Sequence, residues 1–285
     1  MKKTKRLKKA DIYSLLLSLI LLAIAMLWIL PLVMTVLTSF KSTLEVKKFV
    51  KLHNLFPLKW VATNYQDVLN YNGLPFFDVL RNTLVVCAVN ICATLFICTT
   101  AAYAFERLAF KGSDSLFWII FSLSTIPNVV ALVPQYNIYK LLGWIDHLPS
   151  IIAPMLANIF YVFLVRNFLK GIPAAFDEAA RIDGAGEFYI YTRIILPMIK
   201  PVLLVLVLFI FNSSWNDFLW PSIAITTPTH STITPSIQML KNSFGANPER
   251  FLAACTMAII PTFIIYLTCQ KYFLSGMQLG AGVKG

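Results

Sequence analysis

The chain has 285 residues, 58% of them hydrophobic and 13% charged, with a formal net charge of +11 and a mean hydropathy of +0.72. Soluble domains carry roughly 25% charged residues, so this composition excludes an ordinary water-soluble globule and indicates an integral membrane protein. Aromatic and basic residues are not interleaved as in a nucleic-acid groove, and the positive charge follows a membrane bias instead.

The first element is a basic leader followed by an apolar run. Lys2, Lys3, Lys5, Arg6, Lys8 and Lys9 resemble the n-region of a signal peptide, but the apolar stretch after them is about twice the 7 to 15 residues of an h-region. No small-x-small cleavage site follows, so residues 12–37 are expected to be a retained first span with a cytoplasmic N-terminus. A bilayer core takes roughly 20 helical residues, and further spans are expected at 83–105, 116–133, 151–165, 202–220 and 252–271. All are continuous apolar runs without period-two alternation, so the class is all-α with six transmembrane helices and not a barrel.

The first outer loop, about 45 residues, holds Pro57, Trp60, Asn64, Tyr65, Gly73 and Pro75. A loop of this length normally has some structure of its own, either a lid over the helix ends or a docking surface for an external partner. In the loop 221–250, Pro228, Pro235 and Pro248 forbid one continuous helix. With six spans, fifteen of the 24 basic residues fall on the cytoplasmic side, a positive-inside signal diluted by the first outer loop, which holds six of the other nine.

Cys87, Cys92, Cys98, Cys255 and Cys269 lie in apolar spans without Cys-x-x-Cys spacing and read as small hydrophobes. His53, His147 and His230 are far apart in sequence and read as solvated surface groups. No metal is expected. No Walker loop, His-Glu-x-x-His or Gly-x-Ser-x-Gly occurs, so the chain carries no visible catalytic machinery.

Inside the spans the notable polar groups are Asn82, Asn90, Asn158, Asn212 and Asp217. For each asparagine the simplest role is an interhelical hydrogen bond. Asn212, Ser213, Ser214, Asn216 and Asp217, beside Trp215 and Trp220, suit either a water-filled, polyol-binding path or an interfacial helix end. Asn212, Asn216 and Asp217 are the candidates for lining a path.

Residues 177–201 form a polar island between two apolar segments. Pro173 suits a first helical turn, Asp177 and Glu178 favour the positive end of the helix dipole, and Gly184 and Gly186 stop the helix. Ala175, Ala179 and Ile182 share one face, with Phe176 and Ala180 beside them. A second short helix over 187–195 is expected before Pro197 and Pro201 redirect the chain, giving a helix-turn-helix elbow.

Glu178-Ala179-Ala180, Asp183-Gly184-Ala185 and Ile194-x-Leu196-Pro197 resemble, in spacing and residue type, the EAA loop of ATP-binding-cassette importer permeases. The resemblance implies a type I importer permease fold and a coupling loop at about 172–198 that docks in a cleft of a separate ATPase. Glu178 would face a basic residue there and Gly184 would make the turn. Thr38-Ser39-Phe40-Lys41, Asn64-Tyr65, the run from Trp215 to Pro221 and the tail Gly280-Ala281-Gly282-Val283-Lys284-Gly285 resemble the carbohydrate-uptake branch. Within it the chain is similar to the shorter, six-span member of the maltose-type pair.

The tail departs from the usual Gly-Ala-Val-Lys-Gly by the inserted Gly282. In the family it reaches toward the ATPase interface, which marks Gly282, Val283, Lys284 and Gly285 as ATPase-facing. For this chain the resemblance implies one permease domain over 1–285 with a cytoplasmic tail at 272–285. It would sit in a bacterial or archaeal cell membrane with both termini cytoplasmic and bind no cofactor itself. Its partners would be a second homologous permease, an ATPase dimer holding ATP and Mg, an extracytoplasmic sugar-binding protein and lipid. A secondary ion- or proton-coupled transporter, or an ABC permease for a non-sugar solute, are the alternatives. The former is disfavoured by the lack of buried carboxylates in the spans, and the latter by the tail and the Trp-Asn-Asp-Phe segment.

Overall fold

The computed structural model describes residues 9–47, 55–71, 73, 75–108 and 110–281, with side chains described from 13 to 268 and at 270. His53 and the tail residues Gly282, Val283, Lys284 and Gly285 lie outside the described residues. Among these the regular structure is helical throughout. Among the described residues five helices are long and apolar enough to cross a membrane, or six when one bent pair counts as a single span.

The chain forms two compact units, Met1–Asn70 with Leu240–Met257, and Tyr71–Met239 with Ala258–Gly285. In the first, α1 (Lys9–Ser39) is apolar all round and its large side chains from Leu15 to Val33 are exposed, as suits a helix set in lipid. Two short helices follow, α2 (Thr43–Lys47) and α3 (Thr63–Leu69). The Asn64-Tyr65 and Ser39-Phe40-Lys41 segments buckle together: the Asn64 amide donates to the Ser39 and Lys41 carbonyls at 2.8 and 2.9 Å. Tyr65 meets the Ser39 hydroxyl at 2.6 Å, and Phe40 packs between the rings of Trp60 and Tyr65. These motif residues therefore close the C-terminal end of the first helix onto its loop.

The second unit is built on α4 (Phe76–Arg107), a 32-residue helix with neither Pro nor Gly. The span expected at 116–133 falls on a bent pair: α5 (Ser113–Leu123), a 3₁₀ turn at Asn128–Ala131 and α6 (Leu132–Leu141), bent by 84°. Pro127 supplies the break, since it lacks an N–H and bars the preceding residue from helical geometry. The fourth span, Leu148–Lys170, is interrupted too: α7 (Leu148–Ile152), a 3₁₀ turn at Ala153–Met155, an irregular stretch and α8 (Ile159–Lys170).

Next come the elbow helices α9 (Ala175–Ile182) and α10 (Glu187–Tyr189), a π-helical turn at Ile190–Ile195, and α11 (Leu196–Met198). The fifth span combines α12 (Lys200–Asn216) and α13 (Leu219–Ala224). Then α14 (Ile233–Ser243) leads to α15 (Pro248–Ala281), whose stretch Pro248–Thr268 is the last span. Within the second unit α4 packs against both α8 and α12, and the core formed by Cys98, Tyr103, Phe117, Val165, Leu169 and Leu206 continues into the elbow through Ile190, Ile195 and Ile199.

Candidate coupling elbow and substrate cavity

Four residues separate α8 from the first elbow helix, α9. Helix α9 is amphipathic, and its orientation is the reverse of a core helix. Ala175, Phe176, Ala179 and Ile182 face outward, Ile182 being 86% exposed, while Asp177 is 2% exposed and Ala180 is also buried. The apolar face that periodicity identifies is thus presented to the outside. The inward acid is held by Arg107, whose Nε lies 3.2 Å from the Asp177 carboxylate.

Arg107 also donates through Nη2 to the Leu169 and Ile172 carbonyls at 2.9 and 2.8 Å, closing the C-terminal end of α8. One side chain therefore joins three elements. Sequence reasoning assigned Asp177 only to the helix dipole and did not single out Arg107.

The end of α9 is a Schellman turn. Gly184 has φ of +81°, its N–H bonds to the Arg181 carbonyl at 3.0 Å, and the Ala185 N–H reaches back to the Ala180 carbonyl at 2.9 Å. Ala185 is half-buried and packs on the core with Ala180, supplying the apolar contact that accompanies this motif. Gly186 is extended and caps α10 without a positive φ, so the left-handed requirement falls on Gly184 alone of the two.

Across the turn Arg181 grips the Glu187 carboxylate with Nε at 2.7 Å and Nη2 at 3.2 Å, and Tyr103 donates to the same carboxylate at 2.6 Å. The Arg181 guanidinium first, and the Tyr103 hydroxyl second, hold the Glu187 pKa below the usual carboxylate range. Deeper, Tyr191 pairs with Thr99 at 2.7 Å, and burial raises the Tyr191 phenol.

Beyond Tyr189 the chain widens into the π turn carrying Ile194, half-buried, with Leu196 and Pro197 just after it. Pro197 and Pro201 sit in first helical turns, where a missing N–H costs nothing. Of the motif residues, Glu178, Ala179, Asp183 and Gly184 are exposed, Ala180 is buried, and Ile194 and Leu196 anchor the second limb.

A separate cavity of about 930 Å³ opens between the bent pair α5 and α6, the break in the fourth span, and the junction of α12 with α13. Gln135, Asn158, Ser213 and Asp217 supply polar groups to it, and Tyr161 and Trp220 supply aromatic surface. Irregular backbone at membrane depth is tolerated where it lines such a cavity, which is where the prolines place it.

Of the three path candidates Asp217 reaches this cavity. Asn212 and Asn216 are exposed on another side of α12 and bond to each other at 2.9 Å. The remaining asparagines tie structure together. Asn82 donates to the Thr229 and Ser231 carbonyls, Asn90 to Ser214, and Asn158 caps α8 by accepting from the Phe160 N–H.

His147 and His230, distant in sequence, lie with ring centroids 5.6 Å apart. Asp146 there accepts from the Thr226 and Thr227 amides and the Thr227 hydroxyl. Burial opposes ionisation of Asp146, but these hydrogen bonds outweigh it and hold the carboxyl well below its ordinary pKa. Among the described residues no cluster of His, Cys, Asp and Glu could hold a metal.

The chain is similar to the arabinooligosaccharides transport system permease protein AraQ of Bacillus subtilis (strain 168), at 29% identity over 275 residues, 96% of this chain and 97% of that protein. It is 30% identical to the inner membrane ABC transporter permease protein YcjP of Escherichia coli (strain K12) over 90% of this chain and 91% of that one. Its fold matches a chain in the crystal structure of a bacterial ABC transporter involved in the import of the acidic polysaccharide alginate, with a TM-score of 0.81 at 25% identity, covering 95% of this chain and all of that one. A family model for the inner membrane component of binding-protein-dependent transport systems matches residues 2–278, and the chain accordingly belongs to that family, with the type I ABC importer permease fold of a transport subunit and not of an enzyme.

Proposed function

We infer that this chain is one permease subunit of an ATP-driven importer of oligosaccharides, working as a single transmembrane domain over 1–285. The observation that carries the coupling assignment is the outward-facing apolar side of α9. Ala175, Ala179 and Ile182 form it outside the spans, and Phe188 and Tyr189 beyond the turn are also exposed. An unpartnered apolar face on a helix held down by its acid suits insertion in a cleft of an ATPase subunit. Glu178, Asp183 and Gly184 then lie where that cleft would read them, with ATP and Mg held by the ATPase dimer. The tail residues Gly282, Val283, Lys284 and Gly285, which lie outside the described residues, are assigned to the same partner on the family resemblance alone.

For cargo, the cavity's amides, hydroxyls and aromatic rings have the chemistry that sugars require. AraQ carries arabinooligosaccharides in its name and the matched crystal structure is of an alginate importer. A second homologous permease completes the path, taking the exposed Asn212 and Asn216 side of α12, and an extracytoplasmic sugar-binding protein delivers substrate to the outer loops. Both termini are cytoplasmic and the membrane is the cell membrane. ATP binding drives alternating access because the ATPase binds the two permease states with different strength.

The test is uptake by the assembled transporter in proteoliposomes. Import of a saccharide series should require ATP and the binding protein, and persist when the membrane potential is clamped. Ile182→Asp and Glu178→Ala should leave the permease inserted but release or uncouple the ATPase. Uptake that continues without ATP, or an Ile182→Asp protein that retains and couples the ATPase normally, would overturn the assignment.

A further inference from the structure

The elbow is joined covalently to α8 and to α12, and meets α4 through side chains. Those side chains form a stripe. Thr99, Tyr103 and Arg107 recur every four residues along one face of α4, and meet in order Tyr191, Glu187 and Asp177 at 2.7, 2.6 and 3.2 Å. At the other end of the same helix, buried Asn82 donates to the Thr229 and Ser231 carbonyls at 2.8 and 3.2 Å, and the Thr83 hydroxyl accepts from the Ile233 N–H at 2.8 Å.

Midway, Asn90 and Thr94 hold Ser214 and the Met155 carbonyl, and Ser214 and Met155 both line the cavity. With no proline or glycine between, the 25-residue interval from Asn82 to Arg107 is a helical rod of about 38 Å. Adjacent to Arg107, Glu106 accepts from the buried Arg166 of α8 at 2.9 Å, and Arg166 also pairs with Asp114 of α5. The inner end of α4 is therefore keyed to the elbow on one side and to two neighbouring spans on the other.

We propose that α4 is the relay between the outer loop at 229–233 and the ATPase elbow, with Asn82 and Thr83 as its outer keys and Thr99, Tyr103 and Arg107 as its inner keys. All five are positioning residues. A shift of the outer loop moves the rod, the rod moves the cavity wall through Asn90 and Thr94, and the three inner rungs displace the elbow. Rods and buried polar keys of this kind have discrete arrangements and do not deform continuously, as a two-state coupling element requires. The proposal rests on the elbow being the ATPase contact.

The test uses the complete transporter in proteoliposomes and reads the ratio of ATPase rate with and without substrate-loaded binding protein. Asn82→Ala at one end and Thr99→Val at the other should each lower that ratio at least fivefold, with ATPase still bound and the unstimulated rate within twofold of wild type. The double variant should lose no more than the worse single, because a serial relay breaks once. Thr99→Ser, which keeps the hydroxyl that meets Tyr191, should retain more than half of the stimulation. Multiplying losses in the double variant, or full stimulation in either single, would overturn the relay.

An Ile182→Asp transporter separates the two readings. Release of the ATPase from it, alongside normal stimulation in the Asn82 and Thr99 variants, refutes the relay alone. Retention of a functional ATPase there refutes the docking assignment and the relay that depends on it.

Discussion

Substitution at Gly184 isolates backbone conformation from side-chain volume. Its φ is +81°, and a Cβ built there meets no atom within 4 Å, so the folded chain has room for a side chain and resists one only through the left-handed backbone. That strain is about 1 to 2 kcal/mol for alanine and less for asparagine, which visits this region readily. Proline adds a φ it cannot adopt and removes the N–H that bonds the Arg181 carbonyl at 3.0 Å, for about 3 kcal/mol or more.

Where only the native turn docks, that strain appears as a smaller competent fraction. At 1.4 kcal/mol per decade, apparent ATPase affinity should fall little for Gly184→Asn, about tenfold for Gly184→Ala and about a hundredfold or more for Gly184→Pro. The assay is titration of detergent-solubilised permease with its ATPase, beside sugar-dependent uptake. An asparagine variant as impaired as the proline variant would refute the conformational account and show that the open space around Gly184 is filled by the partner. Normal coupling in Gly184→Pro would refute the turn's role altogether.

The electrostatics give two more expected outcomes. Because the Glu187 pKa is depressed by Arg181 and Tyr103, the link it makes across the elbow is fully present above its unfolded value near pH 4.5 and is lost as pH falls through the lower folded value. ATPase association should therefore be unaffected by this group between pH 8 and 5, and a midpoint near 6 that moves in Glu187→Gln would contradict it. Asp146→Ala removes three accepted hydrogen bonds and places a non-glycine, non-asparagine residue at φ of +65°. The 225–231 loop should become more susceptible to limited proteolysis while insertion is unchanged, and an unaltered cleavage rate would show that Asp146 does not hold that loop.

Much of the elbow was legible because it is local. Gly after an amphipathic run, acids in the first turn and proline at the start of the next helix each act within a few residues, so spacing alone locates α9 and its stop. The bend after Leu123 was less legible, because hydropathy averages across Pro127 and reports one apolar run where the backbone makes two helices. The Thr99, Tyr103 and Arg107 stripe carried a signal, polar residues at four-residue spacing in an apolar span, but their partners lie between 70 and 92 residues downstream. Likewise the pairing of His147 with His230 depends on two loops meeting at one end of the unit.

Composition and apolar run length by themselves determined that this is an all-helical membrane chain, since lipid leaves unpaired backbone no alternative. Local pattern determined that a polar elbow interrupts it. Only the tertiary structure decided which way the elbow faces: the buried Arg107 draws Asp177 inward, and α9 must then turn Ala175, Ala179 and Ile182 outward. The same packing decided that Asp217 enters the cavity while Asn212 and Asn216 do not. These are relations between elements distant in sequence, set by which charges must find partners once the helices come together.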